Sequence, residues 1–222
     1  MKLSFGLAAL AGLASAWPSY KLSTRAESAI TYVDPDTGFT FSEFKAAYTL
    51  QSNIVYRMAV PSNPPSGAYD IVIQVVTPNQ VGWNGLAWGG NMVRNPLTVA
   101  YPNGNKVTLS SRWATGHTTP SMYTGATYTL LTNGNKVNGS HWQFTAKCSG
   151  CTTWTGASGA QRINPAATSQ RLAFAWSPTK PGSPGSNTST IAVHDTPNYW
   201  YHDFTKGVNP NFDELLARNG GK

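Results

Sequence analysis

Eight residues, Tyr69-Asp-Ile-Val-Ile-Gln-Val-Val76, constrain the fold more than any other stretch. β-Branched side chains lose rotamer freedom in a helix but pack well on a pleated surface, so this run reads as a strand. Similar runs recur at residues 29–33, 39–41, 54–60, 97–101, 107–113, 127–131, 141–147 and 171–176, with a shorter apolar run at Leu86-Ala-Trp88. Turn signals separate them: Asp34-Pro-Asp-Thr-Gly38, Pro61 to Gly67, Pro102-Asn-Gly-Asn105 and Asn133-Gly134. Many short strands at spacings of about 8–15 residues predict an all-β protein, an antiparallel immunoglobulin-like β-sandwich. One short C-terminal helix is expected from Pro210 to Arg218, with Asn209 as its cap, Asp213 and Glu214 in its first turns and Gly220 at its end. Pro178 to Ser189 should be a surface loop.

The chain is long enough, at 222 residues, for one domain with its own core. Residues 1–16 carry Lys2, an apolar run from Leu3 to Leu13 and the small-residue site Ala14-Ser-Ala16, the pattern of a secretory signal peptide. The mature chain is then expected to begin near Trp17, with a further trim near Arg25. Residues 17–28 would form a tail and residues 29–222 the domain. No later stretch reaches the ~20 apolar residues of a membrane span, so a soluble, secreted monomer is expected. Charged residues make up only 11 % of the chain, and the net charge of +7 comes from scattered Lys and Arg with no adjacent pair. A nucleic-acid stripe needs clustering, so no nucleic-acid partner is expected.

Secretion makes Cys148-Ser-Gly-Cys151 a disulfide first; a thioredoxin-type redox pair would want a helix N-terminus that the local pattern does not offer. Asn138-Gly-Ser140 and Asn187-Thr-Ser189 are glycosylation acceptors in loop-like contexts.

Several chemistries are disfavoured. A glycosidase needs two carboxylates across a bond, and the nine acidic residues fall in the tail, in turns, at strand ends or on the expected helix. No G-x-S-x-G elbow is present. The four histidines, at 117, 141, 194 and 202, are dispersed rather than clustered as a zinc site requires. A copper site built on the N-terminal amine would need histidine, not Trp17, as the first mature residue.

Two segments stand out. Gly89-Gly-Asn-Met92 places one of only four methionines after a glycine pair, and Thr190-Ile-Ala-Val-His-Asp195 carries His194. Around them lie Tyr69 to Trp83, Leu97 to Val107, Ser111 to Gly116, His141 to Phe144 and Lys147 to Trp154. In this order the segments resemble the cytochrome domain of fungal cellobiose dehydrogenase, a haem b domain of the iron-reductase, DOMON-like type, from about Tyr32 to the C-terminal region. The resemblance implies axial iron ligation by Met92 and His194, with His202 as the fallback histidine. A soft thioether and an imidazole together saturate the iron and favour electron transfer over oxygen binding. Because Thr152 rather than histidine follows Cys151, c-type attachment is excluded and the haem would be held without a covalent bond. Trp88, Trp113, Tyr101, Tyr123, Tyr199 and Trp200 are candidates to pack the porphyrin, and Arg112 is a candidate partner for a propionate.

Two departures bear on function. The resembled family continues into a flavin dehydrogenase, whereas this sequence stops, so a stand-alone cytochrome that does not itself oxidise sugar is expected. Pro197 stands where the resemblance leads to an aromatic. Electrons would come from a flavin dehydrogenase or a small reductant. They would pass to a copper-dependent lytic polysaccharide monooxygenase, ferric complexes or quinones during lignocellulose breakdown. The competing reading is a non-catalytic carbohydrate-binding sandwich with exposed tryptophan platforms.

Overall fold

The computed structural model describes residues 28–195 and 197–222. The expected signal peptide, and all but Ser28 of the expected tail, lie outside the described residues. In chain order the strands begin with β1 (Ile30–Val33), β2 (Thr40–Ala47), β3 (Asn53–Pro61), β4 (Ile71–Pro78), β5 (Trp83–Ala87), β6 (Pro96–Asn103), β7 (Lys106–Trp113) and β8 (Ser121–Met122). There follow β9 (Thr127–Leu130), β10 (Lys136–Val137), β11 (His141–Ser149), the pair β12 (Thr153–Gly156) and β13 (Gly159–Arg162), then β14 (Gln170–Ser177), β15 (Asn198–His202) and β16 (Val208–Asn209). A 3-10 turn spans Phe204–Gly207, and α1 (Phe212–Arg218) closes the chain.

Two sheets form the sandwich. One runs β1-β2-β3-β4-β11-β10, with β9 also on β11 and β16 on β3; the other runs β15-β14-β5-β6-β7-β8. The strand pairs are antiparallel except β16 with β3. Among the described residues, no helix is long and apolar enough to cross a membrane.

Alternation along each strand decides what lies between the sheets. From the six-stranded sheet, Leu86, Ala100, Leu172, Phe174 and Trp200 face inward, where they meet Tyr56, Met58, Ile71, Ile73, Val75 and Phe144. Trp200 lies flat against Phe44, with ring centroids 4.9 Å apart and planes 3° from parallel. β4 is apolar at nearly every position because both its faces are covered. Val72 packs outward with Phe39, Phe41 and the α1 residues Phe212, Leu215 and Leu216. The two polar residues of β4 are buried and hydrogen-bonded: Gln74 donates to Thr145 Oγ1 at 2.8 Å and to Asp34 Oδ2 at 3.3 Å, and Thr77 Oγ1 accepts from Asn84 Nδ2 at 2.6 Å.

Cys148 and Cys151 form the expected disulfide at the end of β11. Gly150 in its turn has φ 90°, and a Cβ there would lie 2.0 Å from the Gly125 carbonyl, so only glycine fits. The helix begins two residues later than expected, and Asn209 is not its cap. The Asn209 side chain accepts from the Thr40 N–H and donates to the Thr40 carbonyl, which ties β16 to the sheet. Asn209 thus belongs to β16, and Asn211, two residues on, takes the cap position without a side-chain cap hydrogen bond. The β12–β13 hairpin and β15 were not anticipated.

His202, at the end of β15, is fully buried between Trp200 and Phe204. Its Nδ1 accepts from Trp200 Nε1 at 3.1 Å. Burial pushes its pKa down from 6.5 to about 3, against the opposing pull of Asp203. Above about pH 6.5 the imidazole is neutral in folded and unfolded chains alike. Below it the unfolded chain gains a proton that the folded chain refuses, so stability is lost as pH falls from 6.5 toward about 3.

Two outcomes follow from this packing. Between about pH 7 and pH 4.5 the unfolding free energy of the wild type should drop by up to ~3 kcal/mol more than that of His202→Gln, measured by urea denaturation; equal drops would refute a buried neutral imidazole. Phe144→Ala, in the centre of the inter-sheet core, should cost about 3–5 kcal/mol in the same assay.

Candidate functional site

The positions that alternate with the inward core line a cavity of about 530 Å3 on the outer face of the six-stranded sheet. Its floor is made of small residues: Ala87 is paired with Ala173 and Gly85 with Ala175 across the β5–β14 ladder. Trp83 and Tyr199 stand on the same face, with Leu97 and Val99 of β6. A Cβ on Gly85 would lie 3.3 Å from the Trp83 ring, a tight contact, so the missing side chain makes room for that ring as well as for the cavity.

Loops close the walls. Gly90 leaves β5 with φ 77°, and a Cβ there would lie 2.6 Å from the Arg171 side chain, so glycine lets the loop pass close to β14. Two residues later comes Met92, which lines the cavity and packs beside Ala87, Leu97, Ala114 and Ala173. On the second flank Ile191 packs with Trp83, Val99, Tyr101 and Ala175, and brings Ala192, Val193 and His194 into the wall. Met92 and His194, about a hundred residues apart in sequence, therefore line one cavity. Pro197 lines it too, as do His117 and Pro120 from the loop between β7 and β8.

The tautomer of His194 is set locally. Its Nδ1 lies 2.7 Å from the Asp195 carbonyl oxygen, which only accepts, so Nδ1 carries the proton. In the neutral ring this leaves the lone pair on Nε2, the form in which a histidine binds a metal. Asp195 is itself held by its N–H to the Trp176 carbonyl at 2.8 Å.

Seven of the sequence candidates, Trp88, Tyr101, Arg112, Trp113, Tyr123, Trp200 and His202, do not line the cavity. Trp88 and Trp200 have the opposite parity from Ala87 and Tyr199, so they point into the inter-sheet core. Trp88 Nε1 donates to Thr98 Oγ1 at 2.9 Å. Tyr123 stacks on Trp113 at 4.9 Å, away from the cavity wall. Arg112 is on the outer face but buried, and it makes four hydrogen bonds, to Ser110 Oγ and to the carbonyls of Pro120, Asn187 and Ser189. The fallback ligand His202 is in the core, on the wrong face to reach the cavity.

The residues missed by sequence reasoning are the small floor and Arg171. Arg171 lines the cavity with its guanidinium 4.2 Å from the Tyr199 ring centroid. Alternation along Arg171-Leu-Ala-Phe-Ala was the available signal. Among the described residues there is no cluster of three His, Cys, Asp or Glu able to hold a bare metal ion. The tryptophans among them are buried or half-buried, so the competing reading finds no exposed tryptophan platform among the described residues. Asn138 and Asn187 are both exposed.

An apolar cavity of this size, with a thioether and an unprotonated imidazole nitrogen in its wall, fits a flat macrocycle with an iron centre. The sequence matches the family described as the cytochrome domain of cellobiose dehydrogenase over residues 32–214. It is 32 % identical over 191 residues to a pyrroloquinoline quinone-dependent pyranose dehydrogenase of Coprinopsis cinerea, covering 84 % of this chain and 25 % of that protein. The chain thus spans about a quarter of the length of the curated relatives it matches. Among solved structures, the cytochrome b domain of that pyranose dehydrogenase superposes with a TM-score of 0.72 at 29 % identity, covering 86 % of this chain and 96 % of that one. The cytochrome domain of Myriococcum thermophilum cellobiose dehydrogenase shares the fold, with a TM-score of 0.74 at 24 % identity over 86 % and 96 % of the two chains. Fold, cavity and sequence agree: this chain belongs to the family of cellobiose dehydrogenase cytochrome domains.

Proposed function

We propose that this chain holds one haem b, without a covalent bond, in the cavity on the outer face of the six-stranded sheet, with Met92 and His194 as the iron ligands. The observation that carries the reading is the meeting of Met92 and a His194 with a free Nε2 in one apolar cavity. Bound there, the haem would supply a one-electron iron couple, coordinatively saturated and suited to electron transfer. The chain's own residues do the rest. Gly85, Ala87, Ala173 and Ala175 leave a flat floor, Trp83, Leu97, Val99 and Ile191 keep water from it, and Arg171 offers a cation to an acidic ring substituent.

The same reading makes the protein a secreted glycoprotein that relays single electrons. Its donor would be a sugar dehydrogenase of the flavin or quinone type. Its acceptors would be a copper-dependent lytic polysaccharide monooxygenase, ferric complexes or quinones in lignocellulose breakdown. Support comes from the leader-like residues 1–16, the two exposed acceptor asparagines and the kinship with dehydrogenase-linked cytochrome domains.

Two measurements test the site. Absorption spectra of the haem-supplemented protein should show a Soret band with sharp α and β bands on reduction; Met92→Ala and His194→Ala should each lose that low-spin pattern. A colourless wild type, or unchanged spectra in both variants, overturns the assignment. Filling the floor with Gly85→Leu should weaken haem uptake by about tenfold or more, read by haemin titration, since one lost fit of ~1.4 kcal/mol is already tenfold. Uptake equal to wild type would place the haem elsewhere.

A further inference from the structure

We propose that Arg112 is a positioning residue for His194, a buried cationic staple that joins two loops of the cavity wall; the proposal rests on the haem reading above. Arg112 lies on β7 directly opposite Leu97, a cavity residue, and only 4 % of it is exposed. Its Nε donates to Ser110 Oγ at 2.6 Å, Nη1 to the Pro120 carbonyl at 3.2 Å, and Nη2 to the carbonyls of Asn187 at 3.0 Å and Ser189 at 2.7 Å. No carboxylate is among these acceptors, and the ion pairs found among the described residues are Arg57–Glu43, Lys136–Asp36 and Lys147–Asp70. The charge is held by carbonyl dipoles, which is an expensive way to bury a cation unless those carbonyls need it.

The carbonyls belong to segments with little regular structure of their own. Pro120 ends the loop that brings His117 to the cavity, and Asn187 and Ser189 lie on the long strap between β14 and β15 that carries His194. Without the guanidinium, the carbonyls of Pro120, Asn187 and Ser189 would each lose a donor at once. Tyr101 and Ser110 also hold this strap, through the Ser186 and Asn187 carbonyls. Arg112 is the side chain that reaches both loops. Downstream of His194 the Asp195 N–H is fixed to the Trp176 carbonyl. His194 thus lies between Asp195, fixed to Trp176, and an upstream stretch held by the packing of Ile191 and by the Arg112 hydrogen bond to Ser189; Arg112 is the polar anchor on that side. The guanidinium spreads five N–H donors over three nitrogens and so spans acceptors on both loops, where an ammonium has three donors on one nitrogen.

The test compares wild type, Arg112→Gln and Arg112→Lys by amide hydrogen exchange, with and without haem, and by haem transfer to an excess of apomyoglobin. In Arg112→Gln, exchange over residues 183–195 should quicken by at least about tenfold in the haem-free protein, while β3, β4 and β11 keep wild-type protection. Haem loss should quicken similarly and the reduced low-spin bands should weaken, with Arg112→Lys intermediate. Faster exchange spread evenly through the core would reduce Arg112 to a general stabiliser, and strap exchange with haem loss within about twofold of wild type would overturn the proposal. If the Gln variant does not fold, Arg112→Lys carries the same comparison. If wild type takes up no haem, the preceding reading falls, yet strap exchange in the haem-free variants still decides whether Arg112 is the staple.

Discussion

The β5–β14 ladder is the contact on which the rest of the site depends. Its register sets Ala87 beside Ala173 and Gly85 beside Ala175 on one face, and Leu86 beside Phe174 on the other. One face is therefore bulky and closes the inter-sheet core, while the other is nearly bare. A slip of one residue would exchange the faces, burying the alanines and exposing the aromatics. Core stability and cavity shape are two consequences of a single pairing, so neither can be altered alone at these strands.

A bare patch on a sheet becomes a cavity only when something walls it in. Here the walls are loops, and loops must satisfy their backbone groups by other means. The strap carrying His194 does so by giving its carbonyls to side chains of β6 and β7. The imidazole completes the pattern at its far end, spending Nδ1 on the next residue's carbonyl and leaving Nε2 unprotonated. Met92 arrives differently, on a short loop that passes close to Arg171 because Gly90 has no side chain. The two flanks thus differ in construction, the methionine side held by a tight turn and the histidine side by a long strap pinned at intervals.

Membership of the cytochrome-domain family sits well with this economy. The same sandwich superposes on relatives at 24–29 % identity, so the arrangement of the two sheets tolerates wide change in sequence. The curated relatives are about four times as long as the stretch they share with this chain. What the remaining parts of such proteins do belongs to them, and the resemblance concerns the cytochrome module alone.

Much was legible before any coordinates. The β-branched runs, the Asn-Gly turns and the short helix mark an antiparallel sandwich because these signals are local. The C-x-x-C pair could be read as a disulfide from the residue types and their neighbours, whereas Met92 and His194 were singled out as ligands by the resemblance to the cytochrome-domain family. Local signals failed where the partner was distant: Asn209 bridges Thr40 instead of capping the helix, and Arg112 donates to the carbonyls of a distant loop. The aromatics were the hardest to place. Alternation assigns Trp200 and Tyr199 to opposite faces of β15, but it does not say which face another sheet will cover. That was decided only when the eight-stranded sheet packed on the Trp200 side, leaving Tyr199, the small floor and the two candidate ligands on the open one.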